Sequence, residues 1–257
     1  MRTIIFELYN LVKRRETFLM VILTIIISLW IPWSLKNMPD FWSFHGNNLE
    51  EGRYIWIDIQ KFSHVWYIYI ASFGMFLYPL YGISIGEIVN EIKYKRIHTV
   101  LIYTGDRTKY MDYRFLAEFI LLLFIIVGNL MFLYIGWRLN ISNNNQELNV
   151  LNITYIFVSI FFGTLLMMNI SKYFSLKFFD VVKSYSTSLI LFILLIYLSF
   201  TSIGKFFPFF LYGKEFEKIL YKGIFEKDLF LQILIGTFCI ILVLNIFSKK
   251  HLKDLDL

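Results

Sequence analysis

FILLLFIIVGNLMFLYIGW, residues Phe119–Trp137, runs for nineteen positions without one Asp, Glu, Lys or Arg. A helix needs about 20 mostly apolar residues to cross a hydrocarbon core about 30 Å thick, so this run suffices for one crossing. Working outward, five more charge-free stretches appear, at 17–35, 62–86, 148–171, 184–204 and 229–248, with lengths of 19, 25, 24, 21 and 20 residues. The sequence therefore predicts an all-α integral membrane protein, one transmembrane domain over 1–257 with six transmembrane helices.

Composition points the same way. The 257 residues are 58% hydrophobic, 20% aromatic and only 17% charged, and mean hydropathy is +0.61. Soluble domains average about 45–50% apolar and about 25% charged residues. The aromatic content excludes disorder, collagen and low-complexity sequence, and 4 Pro with 13 Gly leave little length for loops. One cysteine, Cys239, excludes an internal disulfide and a Cys-rich zinc site. It sits in an apolar run and reads as a small packed side chain. Lysine outnumbers arginine 17 to 8, with abundant Ile and Asn, a mix that suits an AT-rich bacterial genome. The basic flank Lys13-Arg14-Arg15 raises the question of a signal peptide. The apolar core after it is long, and Ile31-Pro32-Trp33-Ser34 makes a poor small-residue cleavage site, so a retained span is expected.

Counting Lys and Arg by connecting segment sets the orientation. Residues 1–16, 87–118, 172–183 and 249–257 carry sixteen basic and ten acidic residues, and the opposite set carries nine of each. One side is thus +6 and the other neutral, which places both termini in the cytoplasm of a bacterial plasma membrane. This bias accounts for the basic pI without any nucleic-acid partner.

The connecting segments are patterned. Residues 1–16 carry Ile4, Ile5, Leu8, Leu11 and Val12 on one helical stripe, with Glu7, Asn10, Lys13 and Arg14 opposite, as in an interfacial helix lying flat under the first span. The long inner segment 87–118 has Ile97, Val100, Leu101 and Thr104 at helical spacing, then Gly105 as a stop, with a second helix from about Thr108. That pattern suits docking to a cytoplasmic partner. The outer segment 205–228 is aromatic and Pro-broken, then amphipathic from Lys214, as in a re-entrant element dipping into the headgroup layer. Trp42, Trp56 and Trp66 fit the interfacial aromatic belt.

Chemistry is sparse. Gly82-Ile83-Ser84-Ile85-Gly86 fits the G-x-S-x-G of serine hydrolases, but a nucleophilic serine needs a base in hydrogen-bond reach. His64 lies twenty residues earlier on the same helix, about 30 Å away. Gly82 and Gly86 read better as a small-residue helix-packing face. Glu50-Glu51-Gly52-Arg53 has the wrong spacing for an intramembrane metalloprotease, and neither Gly204-Lys205 nor Gly213-Lys214 is followed by the Ser or Thr of a phosphate loop. Asn129, Asn169 and Asn245 are expected to hydrogen bond between helices. No Asp, Glu or Arg sits at mid-membrane to couple an ion gradient. No catalytic residue, metal ligand or cofactor is expected in the chain.

A lead helix, six spans, a long loop between spans two and three and an outer element before span six resemble the permease subunits of type-2 ABC exporters. In the loop, Glu91 stands for the family's acidic residue, Thr99 for its threonine, Leu101 and Ile102 for its leucines, Arg107 for its arginine and Arg114 for the later basic residue. His98 stands where the family has glycine and Gly105 where it has proline. The resemblance implies a translocation path shared by two permeases, as a homodimer or heterodimer. It also implies a cytoplasmic coupling helix within 93–110 that docks on a separate ATPase, which alone binds ATP and Mg. Arg96, Ile97, His98, Thr99, Tyr103, Asp106 and Arg107 are the expected coupling residues. Small members of the family implicate an amphipathic or antimicrobial-type peptide as cargo, with membrane lipid around the path. Two other readings stand beside it, an intramembrane hydrolase using Ser84 and a non-transporting scaffold or sensor.

Overall fold

The computed structural model describes residues 2–38, 60–93, 105–141, 148, 150–199 and 227–254. Every extended element among them is helical: α1 (Arg2–Val12), α2 (Arg15–Asn37), α3 (Phe62–Tyr69), a π turn (Ile70–Gly74), α4 (Met75–Gly86), α5 (Val89–Lys93), α6 (Arg107–Asn140), α7 (Val150–Phe178), α8 (Val181–Ser199) and α9 (Lys227–Asp254). Six helical stretches among these residues are long and apolar enough to cross a membrane: α2, the run from α3 to α5, α6, α7, α8 and α9. The expected coupling residues Arg96, Ile97, His98, Thr99 and Tyr103, the outer segment 39–59 and most of the re-entrant segment 205–228 lie outside the described residues.

Two long helices organise the bundle. α7 packs against α4, α8 and α9, while α6 packs against α1 and α2. At 34 residues, α6 extends about 51 Å and outreaches the membrane core at its N-terminal end. The second helix expected from about Thr108 begins at Arg107 and runs without a break into the third span. Asp106 caps that helix, accepting hydrogen bonds from Thr108 N at 2.8 Å and Thr108 Oγ1 at 2.7 Å. Gly105 before it takes φ +64°, the left-handed conformation that glycine adopts without steric cost. The turn between α7 and α8 uses Phe179 at φ 50°. Asp180 then receives Lys183 N at 2.9 Å, which starts α8.

The faces of α4 and α7 meet at Gly82 and Gly86. A Cβ on Gly82 would stand 2.5 Å from the Thr164 carbonyl oxygen, and one on Gly86 would overlap the Met168 carbonyl. Ser171 Oγ stitches the same pair by donating to Ile83 O at 2.8 Å. Gly136 plays the matching part between α6 and α2, where a Cβ would meet Ser28 O at 3.2 Å. In lipid, where apolar burial no longer distinguishes protein from solvent, such backbone approach supplies packing energy.

Asn129 stitches three helices together. Its Nδ2 donates to Ser28 Oγ on α2 at 2.6 Å, and its Oδ1 accepts from Tyr78 Oη on α4. Tyr81 Oη donates to Met20 O at 2.7 Å, a second α4–α2 tie. Asn169 behaves differently: its Nδ2 donates within its own helix to Leu165 O at 2.8 Å, and its Oδ1 has no partner among the described residues. The Oδ1 of Asn245 likewise has none.

The outward faces of α2, α6, α8 and α9 carry exposed Phe18, Ile26, Phe124, Ile193 and Ile246. A surface this apolar suits a hydrocarbon surround and fits a multi-pass membrane protein. Three expectations are corrected here. Trp66 is fully buried against the helices rather than lying in an interfacial belt, because α3 is enclosed by α2 and α6. Cys239 is exposed on the outer face of α9 rather than packed. The polar stripe of α1 does not face water as a whole: Glu7 is buried, while Ile5, Tyr9 and Val12 are exposed. The helix rolls because Glu7 meets a cation on α6.

Candidate functional site

Six ionisable side chains from five elements form one connected cluster. Its centre is Arg114 on α6, fully buried. Arg114 Nη1 donates to Glu7 Oε2 on α1 at 3.0 Å and to Glu91 on α5, at 2.9 Å to Oε1 and 2.8 Å to Oε2. Arg114 Nε donates to Glu118 Oε1, one turn along the same helix, at 2.7 Å. Glu118 Oε2 in turn receives Lys172 of α7, and Glu91 receives Arg14, the residue just ahead of α2. Arg14 also donates to the carbonyl oxygens of Ser84 at 3.0 Å and Glu87 at 2.9 Å.

Three carboxylates face three cations, so the cluster is neutral as a unit. Moving ions out of water costs several kcal/mol each, roughly repaid only when geometry and hydrogen bonding are good. Arg114 comes close, with one Nη left without a partner among the described residues, as is the buried Tyr110 hydroxyl beside it. Burial pushes the Glu7 carboxyl above its usual range, against the opposing pull of Arg114. A small apolar cluster of Ile88, Ile92, Tyr110, Met111, Leu176 and Leu252 packs at this end of the bundle.

The position of the cluster gives it mechanical meaning. Glu91 lies on α5, just before the described chain stops at Lys93, and Arg114 lies two turns into the helix that resumes at Arg107. Both roots of the segment 94–104 are therefore tied into one ionic knot that also holds α1, α7 and the start of α2. A force on that segment is delivered to all of them together.

The sequence pointed to Glu91 and Arg114 only through the family resemblance, and it missed Glu7, Arg14, Glu118 and Lys172 as a set. Part of the signal was readable, since Arg114 and Glu118 stand at i,i+4 on one helix. Lys172 stands at the very end of a charge-free run, where it reads as a loop residue. Of the expected coupling residues within the described chain, Asp106 caps α6, and its carboxyl is held below the usual range by its bonds to Thr108. Arg107 Nη1 donates to Leu252 O at 3.3 Å and Lys253 O at 3.0 Å, closing the last turn of α9. Ser84 is buried and meets Arg14 through its carbonyl. Among the described residues no group of three His, Cys, Asp or Glu side chains is placed to hold a metal ion. Compared with protein families, with curated proteins and with solved structures, the chain finds no match.

Proposed function

We propose that this chain is the membrane-spanning permease subunit of an ATP-driven exporter of the type-2 ABC class. In this reading it pairs with a second permease and is driven by a separate cytoplasmic ATPase gripping residues 93–110. The observation that supports this best is the ionic knot at both roots of that segment. A subunit powered from outside needs its point of grip braced against several spanning helices at once, and Glu91 and Arg114 brace it against α1, α2 and α7. The lack of a mid-membrane carboxylate in the charge-free spans suits a passive path better than a proton-driven carrier. The aromatic, uncharged spans favour amphipathic peptide as cargo, and the positive side of the charge count puts both termini in the cytoplasm.

The test is purification of the tagged chain from native membranes in mild detergent. A soluble ATPase is expected to co-purify, and Thr99→Glu or Arg107→Glu is expected to lower ATP hydrolysis by the complex at least several-fold. Wild-type preparations that never retain an ATPase, or a chain that hydrolyses ATP alone, would remove the proposal.

A further inference from the structure

Beside the ionic knot, a cleft of about 930 Å³ opens between the start of α2, the α4–α5 junction and the start of α8. That is within the range of small-molecule sites, about 300–1,000 Å³. Its floor is acidic. Glu87 is 4% exposed, lines the cleft, and receives one backbone hydrogen bond, from Asn90 N at 3.0 Å. No ion pair joins Glu87 to a cation among the described residues, unlike Glu7, Glu91 and Glu118. Arg14 also lines the cleft, but it bonds to the Glu87 backbone carbonyl at 2.9 Å and pairs with Glu91, leaving the Glu87 carboxylate without an ion pair of its own among the described residues. A buried carboxylate in that position favours a cation that enters the cleft.

The rim is richer in cations, with Lys13 and Arg15 beside a single carboxylate, Glu16. Lys13 and Arg15 line it without a carboxylate partner among the described residues, Lys13 lying 4.3 Å over the Tyr9 ring. Arg15 opens α2, a helix of 23 residues whose N-cap position, Arg14, makes no side-chain cap. The first turn of α2 lines the same rim through Arg15 and Glu16, so a phosphate there would meet Lys13 and Arg15 beside the positive end of the helix. On the remaining side, Val182 and Leu189 of α8 line the cleft, and the exposed Ile190 and Ile193 continue the aliphatic surface along the same helix. The cleft thus joins a buried anion, a basic rim and an opening toward the hydrocarbon-facing side.

We infer that this cleft seats the headgroup of a membrane phospholipid bearing a primary ammonium, of the ethanolamine class. The ammonium goes to Glu87, the phosphate to Lys13, Arg15 and the α2 N-terminus, and the acyl chains lie along α8. The inference is independent of which engine drives the protein. A choline headgroup brings the charge but cannot donate hydrogen bonds to Glu87, and a glycerol headgroup brings no cation, so both are held more weakly than ethanolamine.

Native mass spectrometry of the purified full-length chain tests this, with phosphatidylethanolamine, phosphatidylcholine and phosphatidylglycerol titrated in turn. Retention of the ethanolamine lipid is expected to exceed that of the other two by about tenfold. Glu87→Gln removes that preference, and Lys13→Gln with Arg15→Gln lowers retention of all three. Soluble glycerophosphoethanolamine, lacking acyl chains, is expected not to compete at matched concentration. Equal retention of the three lipids, an unchanged preference in Glu87→Gln, or full competition by the soluble ester would each overturn the assignment. The Lys13 and Arg15 positions are on the rim, so their double variant remains informative even if Glu87→Gln fails to fold.

Discussion

Arg114 holds three carboxylates at once, and the consequences of removing any member of its cluster follow from charge balance. Lys172→Met leaves three carboxylates facing two cations in a buried site, and breaking a buried pair from one side costs about 3–5 kcal/mol. Adding Glu118→Leu removes the uncompensated charge together with its partner. The double variant is then expected to recover most of that loss, as measured by thermal or denaturant unfolding in detergent micelles. A double variant no more stable than Lys172→Met would mean that the pair is not the unit of cost. Glu7 gives a pH signature. Its carboxyl is raised above an ordinary value of 4.5 by burial, so between the two values the folded chain binds more protons than the unfolded one. Stability from this group is therefore full below about pH 4.5 and is lost as pH rises through the raised value. The difference in melting temperature between wild type and Glu7→Gln should shift against wild type over that rise, and a difference flat with pH would exclude the raised carboxyl.

The helices themselves meet where side chains are missing. Gly82→Ala and Gly86→Ala force a methyl onto the carbonyls of Thr164 and Met168, so α4 and α7 must part. Overpacking of this kind costs about 1–3 kcal/mol. Gly128 and Gly236 have nothing within 4 Å of an added Cβ, so alanine there is expected to raise stability slightly, by about 0.5–1 kcal/mol. These four variants, compared by thermal unfolding in one detergent, separate close helix approach from glycine's general weakness in helices. The span positions and the Gly82–Gly86 face were legible in the sequence because missing charge and missing Cβ are local signals. The inward roll of α1 was not, because its stripe reads as amphipathic either way until a cation on α6 claims Glu7. The helix from about Thr108 was legible from the Gly105 stop, but the partners of its Arg114 and Glu118 on α1, α5 and α7 were not, because they are far away in sequence. Asn129 and Asn169 are both lone asparagines in apolar runs, yet only Asn129 finds side-chain partners across helices, in Ser28 and Tyr78. That distinction belongs to neighbours, not to the residue.

Orientation in the membrane rests on charge that remains in contact with water. The buried cluster withdraws three cations and three carboxylates from the side that bears the termini, in equal numbers, so the surplus of +6 on that side survives their burial. In the proposed reading, the positive-inside rule therefore still assigns α1, the cluster and the segment 94–104 to the cytoplasm. Cys239 is the chain's one cysteine and faces outward on α9, within a hydrocarbon-facing stretch, so Cys239→Ser yields a background free of thiols without disturbing a packed site. In that background, single cysteines at Asn10 and His98 are expected to react with a membrane-impermeant maleimide only after cells are opened. Cysteines at His45 and Tyr212 should react in intact cells. Labelling of His98→Cys from outside would invert the protein. It would also withdraw the cytoplasmic ATPase, because a grip on the ionic knot needs that segment on the side where ATP is found.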